Sequence, residues 1–191
     1  MDETLVLAIL LGTSREGRES IHAAKWVAEQ AGKREGVEVI FVDPAELNLP
    51  SDGDKIRDPK YTEITARADA FYVVTPEYNH SFPGSLKRML DSEYENYLHK
   101  PVGTAGVSSG MFGGARCCEA LLPVYHKVGL VIISPEVYFP KVTELFDEQG
   151  NLKPEHVERY TASVGKALDE LLWFARMLKR ARAELAGNTQ A

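Results

Sequence analysis

The run Gly12-Thr13-Ser14-Arg15-Glu16-Gly17-Arg18-Glu19-Ser20 concentrates three hydroxyl side chains, two arginines and two glycines in nine residues. That combination suits a bound anion. Hydroxyls donate hydrogen bonds, an arginine adds charge-assisted ones, and a helix starting at the end of the run offers unpaired N–H groups and the positive end of its dipole. Either Arg15 or Arg18 can supply the charge. A solvated turn between a strand and a helix is the competing reading. The run is neither a Gly-x-Gly-x-x-Gly nor a Walker loop, since Gly12 and Gly17 are its only glycines and no Gly-Lys-Thr follows.

Two further stretches have unusual composition. In Thr75-Pro76-Glu77-Tyr78-Asn79 the backbone turns where Pro76 stops a strand, and Tyr78 offers an aromatic face or a hydroxyl. An ordinary turn, with Asn79 capping the next helix, is the alternative. In Ser108-Ser109-Gly110-Met111-Phe112-Gly113-Gly114 the three glycines permit close backbone approach and positive φ. Elsewhere the chemistry is sparse. Cys117 and Cys118 are adjacent, a spacing that makes neither a redox dithiol nor a metal knuckle, and they read as a reduced pair on a helix with one thiol facing the core. His22, His80, His99, His126 and His156 lack ligand spacing, so no metal site is expected.

The elements that must position these loops alternate. Residues 4–11 form a short continuous apolar run, the mark of a strand buried on both faces. Ser20 then reads as the N-cap of a helix to about Lys33, with Gly36 ending the segment. Val37–Val42 is β-branched and stops at Asp43-Pro44. Residues 44–60 are polar and rich in Pro, Gly and Asp, hence a surface loop, with a short helix over 60–68. Strands follow at 70–74, 101–107 and 128–133, and helices at 83–90, 113–127 and 154–185. Such an order demands right-handed crossovers and a parallel sheet with helices on both faces. Five strands in this length suit a flavodoxin-like three-layer α/β sandwich of order 2-1-3-4-5, which gathers ligands at the carboxyl ends of strands 1, 3 and 4. The three unusual loops fall at those ends.

Size and charge agree. The 191 residues leave room for one domain spanning 1–191, and 44% apolar with 26% charged residues matches a globular chain. A net charge of −6 repels nucleic-acid backbones, so any bound phosphate needs a local site. No apolar run approaches the ~18 residues of a membrane span, and acidic Asp2 and Glu3 replace the basic start of a signal peptide, which implies a cytoplasmic protein with no membrane partner.

The stretch from Pro76 to Asp91 resembles the PEYNxSxPGxLKxxxD signature of the NADPH-dependent FMN reductase family, which includes quinone, chromate and azo-dye reductases. Residues 76–79 match, as do Ser81, Pro83, Gly84, Leu86, Lys87 and Asp91, while Arg88 replaces the asparagine common after that lysine. The resemblance extends from about Leu5 to Ser134. It implies FMN as cofactor, NAD(P)H as co-substrate, a quinone or similar small molecule as acceptor, and a homodimer or homotetramer. It carries the phosphate role to Thr13, Arg15 and Ser20, to which the loop's own chemistry adds Ser14 and Arg18 as candidates, and backbone contacts with the N5/O4 edge of the flavin ring to Pro76, Glu77, Tyr78 and Asn79. Ser108, Ser109, Gly110 and Gly113 then wrap the pyrimidine end, with Ser108 as the donor there and a helix N-terminus stabilising negative charge on the ring. Met111 and Phe112 read as wall or subunit packing. Many members carry an asparagine just past the serine at position 20, and here Ile21 and His22 stand instead; His22 reads as a helix-surface residue.

No side chain is required as an essential acid or base, because the cofactor carries the chemistry. The rival reading is a flavodoxin-type electron carrier, which binds FMN but is reduced by a partner protein. Its acidic charge is compatible, and the arginines of the first loop speak against it.

Overall fold

The computed structural model describes residues 4–50 and 57–188; the acidic start and part of the 44–60 connection lie outside these. The chain runs β1 (Leu5–Leu11), α1 (Ser20–Gly32), β2 (Val37–Val42), α2 (Pro59–Arg67), β3 (Ala70–Pro76), α3 (Gly84–Asp91), β4 (Pro101–Val107), α4 (Ala115–Lys127), β5 (Val131–Ile132), β6 (Val137–Phe139), α5 (Val142–Leu145) and α6 (Pro154–Asn188). All pairings in the sheet are parallel and the order is β2-β1-β3-β4-β5, as expected.

The two-residue period of a strand divides the core. On β1, Leu5, Leu7, Ile9 and Leu11 pack with α1 and α6, while Ala8 and Leu10 pack with α2, α3 and α4 on the other side. On β3, Tyr72 and Val74 join the first cluster, and Phe71 and Val73 the second. Both faces are therefore apolar, which is why these strands read as unbroken hydrophobic runs.

β3 runs two residues further than the sequence reading, its parallel pairing with β4 continuing through Pro76, and four other boundaries differ with a local cause. Ser20 is the first residue of α1 and Glu19 stands at the cap position, with no side chain capping the helix. Pro83 precedes α3 instead of entering it. Gly113 and Gly114 have φ of 61° and 85°, outside the helical region, so α4 starts at Ala115. The fifth strand is the largest difference. Gly129, at φ 80°, delays it, and Pro135 breaks it because proline has no N–H for the ladder. Two pieces result, β5 and β6, both paired with β4. From Ile132 to Val137 is five residues (137 − 132), against three along β4 from Val102 to Ala105 (105 − 102), so two extra residues loop out between them. Both cysteines are buried, where one was expected to be.

The amino edge of the sheet is tied down by charge. Asp69, ahead of β3, accepts the Val6 N–H at 3.0 Å and pairs with Lys179 and Arg182 of α6 at 2.9 and 3.1 Å. Nearby, Lys100 donates to the Thr65 and Ala66 carbonyls at 2.7 and 3.2 Å, placing a cation at the carboxyl end of α2. Burial, with Arg182 adding to it against Asp69, pulls the Lys100 ammonium down to about 8.

Below about pH 8 both the native and the unfolded chain hold that proton and the burial cost applies in full. Between about 8 and 10.5 only the unfolded chain holds it, so this group makes stability rise with pH. Buried thiols act in the opposite sense, since the Cys118 pKa is raised by its contact with Cys117 and by burial. Comparison with Lys100→Met isolates the lysine. In urea unfolding, the wild type should gain about 1–2 kcal/mol on Lys100→Met between pH 7.5 and 9.5; a difference independent of pH would contradict the assignment.

Candidate functional site

Three loops meet at the carboxyl edge of the sheet because backbones approach there without side chains between them. The Gly12 amide donates to the Val74 carbonyl at 2.8 Å, and a Cβ on Gly12 would lie 2.3 Å from the Thr75 Oγ1. A Cβ on Gly106 would stand 2.6 and 2.7 Å from the carbonyl oxygens of Gly114 and Gly113. Only glycine fits at either position.

Hydrogen bonds link the loops. Thr13, 2% exposed, takes the Arg15 N–H on its Oγ1 at 3.3 Å and shares a hydrogen bond of 3.2 Å with the Tyr78 hydroxyl. The Glu77 N–H donates to the Val107 carbonyl at 2.9 Å. Tyr78 and Ser81 exchange backbone hydrogen bonds of 2.8 and 2.9 Å across Asn79 and His80, whose φ values are 49° and 65°. Two successive positive φ angles make the tight hairpin turn in which asparagine is favoured. Asn79 therefore serves the turn and does not cap α3. The third loop is held from behind: Lys141 and Val142 donate to the carbonyls of Gly110 and Ser108, both at 3.0 Å.

Between these loops lies a cleft of about 310 Å³. Arg15, Arg18, Ser20, Pro76, Glu77, Tyr78, Ser108 and Ser109, all singled out in the sequence, line it. Thr13, Ser14, Asn79, Gly110 and Gly113 do not. Thr13 and Asn79 support the lining, Ser14 is exposed, Gly113 sits against Tyr138, and Gly110 has open space around it with no positive φ. Sequence reasoning missed Gly17, Glu19, Val107, Val142 and Thr143. Gly17 and Glu19 lay inside the motif it named; for Val142 and Thr143 no sequence signal existed, because α5 follows the unanticipated β6.

The two arginines have different tasks. Arg18 pairs with Asp43 after β2 and donates to the Arg15 carbonyl at 3.1 Å, so it braces the loop. The Arg15 guanidinium makes no ion pair among the described residues and lies 5.9 Å from the Tyr78 ring centroid. His22 packs against Phe146 and under Gly150, away from the cleft. Ser108 donates to the Gly110 carbonyl at 2.9 Å, so its hydroxyl proton shapes its own loop.

Four buried side-chain polar atoms have no partner among the described residues: Arg18 Nε, Ser20 Oγ, Glu77 Oε2 and Tyr72 OH. The first three belong to residues lining this one cleft. A buried group without a partner costs about 1–3 kcal/mol, so their concentration in one place marks a surface built to be completed by a ligand. At the α1 end, the N–H groups of Ile21 and His22 turn back to the Arg18 and Glu19 carbonyls, no side chain caps the helix, and Glu19 and Ser20 line the cleft. Donors, dipole and the Arg15 charge there fit a terminal phosphate. The residues present thus fit an FMN phosphate.

The chain is similar to known proteins in sequence and in fold. A sequence model of the NADPH-dependent FMN reductase family matches residues 4–144. A 2-hydroxy-1,4-benzoquinone reductase of Burkholderia sp is 29% identical over 166 residues, covering 82% of this chain and 90% of its own. A quinone reductase of Pseudomonas putida is 26% identical over 165 residues, covering 80% and 87%. Among solved structures, the flavoenzyme NAD(P)H:(acceptor) oxidoreductase FerB from Paracoccus denitrificans superposes with a TM-score of 0.74 over 90% of this chain and 99% of its own, at 24% identity.

Gly106→Ala should destabilise the protein by about 1–3 kcal/mol, since the added methyl meets backbone that cannot yield. Gly110→Ala should stay within about 0.5 kcal/mol of wild type, having open space and an ordinary φ. Urea unfolding of the two variants checks this, and equal losses would mean the loops do not depend on the close approach.

Proposed function

Because this chain belongs to the NADPH-dependent FMN reductase family, enzymes that use FMN with NAD(P)H, we propose that its cleft holds FMN with the phosphate at the start of α1 and reduces a quinone or a similar small acceptor. The observation that carries this reading is the buried, unpartnered Ser20 hydroxyl beside the uncapped first turn of α1. When bound, FMN supplies the site that accepts hydride from NAD(P)H and passes reducing equivalents on.

The chain's own residues bind and orient. Ser20 and Arg15 hold the phosphate, and Arg18 and Thr13 keep the loop in shape. The hairpin at Asn79 and His80 fixes the backbone of Pro76, Glu77 and Tyr78 along one wall. Ser108 and Ser109 line the cleft beside them, on a loop steadied by the Lys141 and Val142 amides. The start of α4 lies just beyond and biases that end of the cleft toward negative charge. No side chain is required as an essential acid or base. The quinone assignment is supported by the relatives named as quinone reductases. A homodimer or homotetramer is supported by Met111 and Phe112, 72% and 65% exposed beside the cleft.

The purified protein should release FMN on heating and oxidise NAD(P)H in the presence of benzoquinone. Parallel double-reciprocal plots are expected, because nucleotide and acceptor occupy one opening in turn. Absence of flavin or of nucleotide oxidation would refute the reading.

Ser20→Ala and Arg15→Ala should each weaken FMN binding tenfold to a hundredfold while leaving riboflavin within about twofold. A hydrogen bond to a charged group is worth roughly 1.5–3 kcal/mol, and riboflavin has no phosphate to lose. Fluorescence titration of both flavins decides; equal losses for the two would remove the phosphate from this loop.

A further inference from the structure

The outer side of α6 carries a projecting aromatic ring, a hollow, and charges sorted by sign. Tyr160, Val164, Leu168, Leu171 and Ala175 face the core and are buried. At about 100° per residue, Glu155, Ala162, Lys166, Asp169, Trp173, Met177 and Arg180 form one stripe on the opposite side. Trp173 and Met177 are 56% and 48% exposed, and Phe174 meets the Trp173 ring edge-on at 4.9 Å and steadies it. Along the same stripe runs a hollow of about 630 Å³, lined by Ala162, Gly165, Lys166 and Asp169 with Trp173 at its end. Ala162 lies about 17 Å along the axis from Trp173, so the ring cannot fill the small-residue end of the hollow in its own chain.

Charge along the stripe has a direction. Glu155 and Glu158 stand near its amino end, Arg176 and Arg180 near its carboxyl end. Glu155, Lys166 and Arg180 make no ion pair among the described residues, and Asp169, paired with Arg34 at 2.8 Å, keeps its side chain 66% exposed. Two copies side by side in parallel bring Glu155 to Glu155 and Arg180 to Arg180. Antiparallel, each Trp173 meets the second copy's Ala162, Lys166 meets its Asp169, and Glu155 meets its Arg180. Arg159 against Arg176 is the like-charged exception; Arg159 lies 5.5 Å over its own Tyr160 ring, and Glu158 stands one residue away. The stripe is about 38 Å long and 10–12 Å wide, roughly 400 Å². The outer side of α1, with Lys25, Glu29 and Lys33, borders it through a shared groove at Val157 and Thr161 and brings the face toward the ~800 Å² per partner of a stable dimer. We propose that α6 packs antiparallel on the α6 of a second copy, about a two-fold axis between Lys166 and Asp169. α6 covers one face of the sheet and α4 the other, so this surface is separate from Met111 and Phe112 ahead of α4, and it does not depend on the flavin reading. Engaged together, the two surfaces make a tetramer; α6 alone makes a dimer.

Sedimentation velocity of the full chain over about 1–100 μM measures the pairing. Trp173→Ser should weaken it about tenfold or more, turning a tetramer into a dimer or a dimer into a monomer. Glu155→Arg and Arg180→Glu should each weaken it about fivefold to tenfold by setting like charges against each other, and the double variant Glu155→Arg/Arg180→Glu should return within about twofold of wild type. The two positions are about 38 Å apart in one chain, so only contact between antiparallel copies gives that recovery. All four variants should keep wild-type flavin content and nucleotide oxidation, because none of these residues lines the cleft. Thermal unfolding verifies that each folds, and the charge reversals carry the test if Trp173→Ser does not. A wild type that stays monomeric at about 100 μM overturns the proposal and leaves the face to a different partner. So does a mass unchanged by Trp173→Ser and by both single reversals, which assigns any assembly to the Met111 and Phe112 surface alone. Losses in both single reversals with no recovery in the double variant overturn the antiparallel pairing.

Discussion

The cleft exists because three backbone segments come closer at the carboxyl edge of the sheet than any side chain would allow. Gly12 passes over Thr75, and Gly106 passes under Gly113 and Gly114. With those separations, the Gly12 amide reaches Val74, the Glu77 amide reaches Val107, and the Thr13 hydroxyl reaches Tyr78. Each of these bonds joins one loop to the strand or loop beside it. The edge therefore behaves as one surface, and a methyl group at one glycine is felt by all three loops.

Polar groups on this surface are arranged by sign. The α1 side holds the Arg15 charge and the Ser20 hydroxyl, neither with a partner among the described residues, and a helix start that no side chain caps. The neighbouring ends of β3 and β4 bring the Glu77 carboxylate and the residues Ser108 and Ser109 to the same cleft. Arg18 shows how the arrangement is kept specific. Both arginines of the loop line the cleft, but Arg18 is tied to Asp43 and to the Arg15 carbonyl, which leaves Arg15 as the one with no ion pair among the described residues. The unpartnered atoms cost stability in the ligand-free chain, and binding recovers that cost, which links affinity to the shape of the empty site.

The opposite edge of the sheet uses charge for a different end. There Asp69 meets two cations of α6, and Lys100 meets the carbonyls that end α2. All of these groups find partners within the chain. Paired charges at the amino edge, and three buried side-chain atoms without a partner among the described residues at the carboxyl edge, distinguish scaffold from candidate site.

The amino-acid sequence by itself determined the strand order, because hydrophobic runs alternating with helical periods allow few right-handed parallel arrangements. It also determined which loops form the site, through local chemistry: hydroxyls and arginines from Gly12 to Ser20, the Pro76–Asn79 turn, and the glycines after β4. Residues whose role depends on a distant partner were not legible. Nothing near Arg15 or Arg18 says which one meets Asp43, and nothing near Glu77 says that Arg116, 39 residues on, will grip it. Asn79 was legible as a turn residue, yet its place in a hairpin with two positive φ angles required Ser81 to close back on Tyr78. Val142 and Thr143 entered the site only because Pro135 splits the fifth strand and carries its second piece along β4. Such assignments are decided by contacts between residues far apart in the chain, which form only once the sheet has brought its carboxyl ends together.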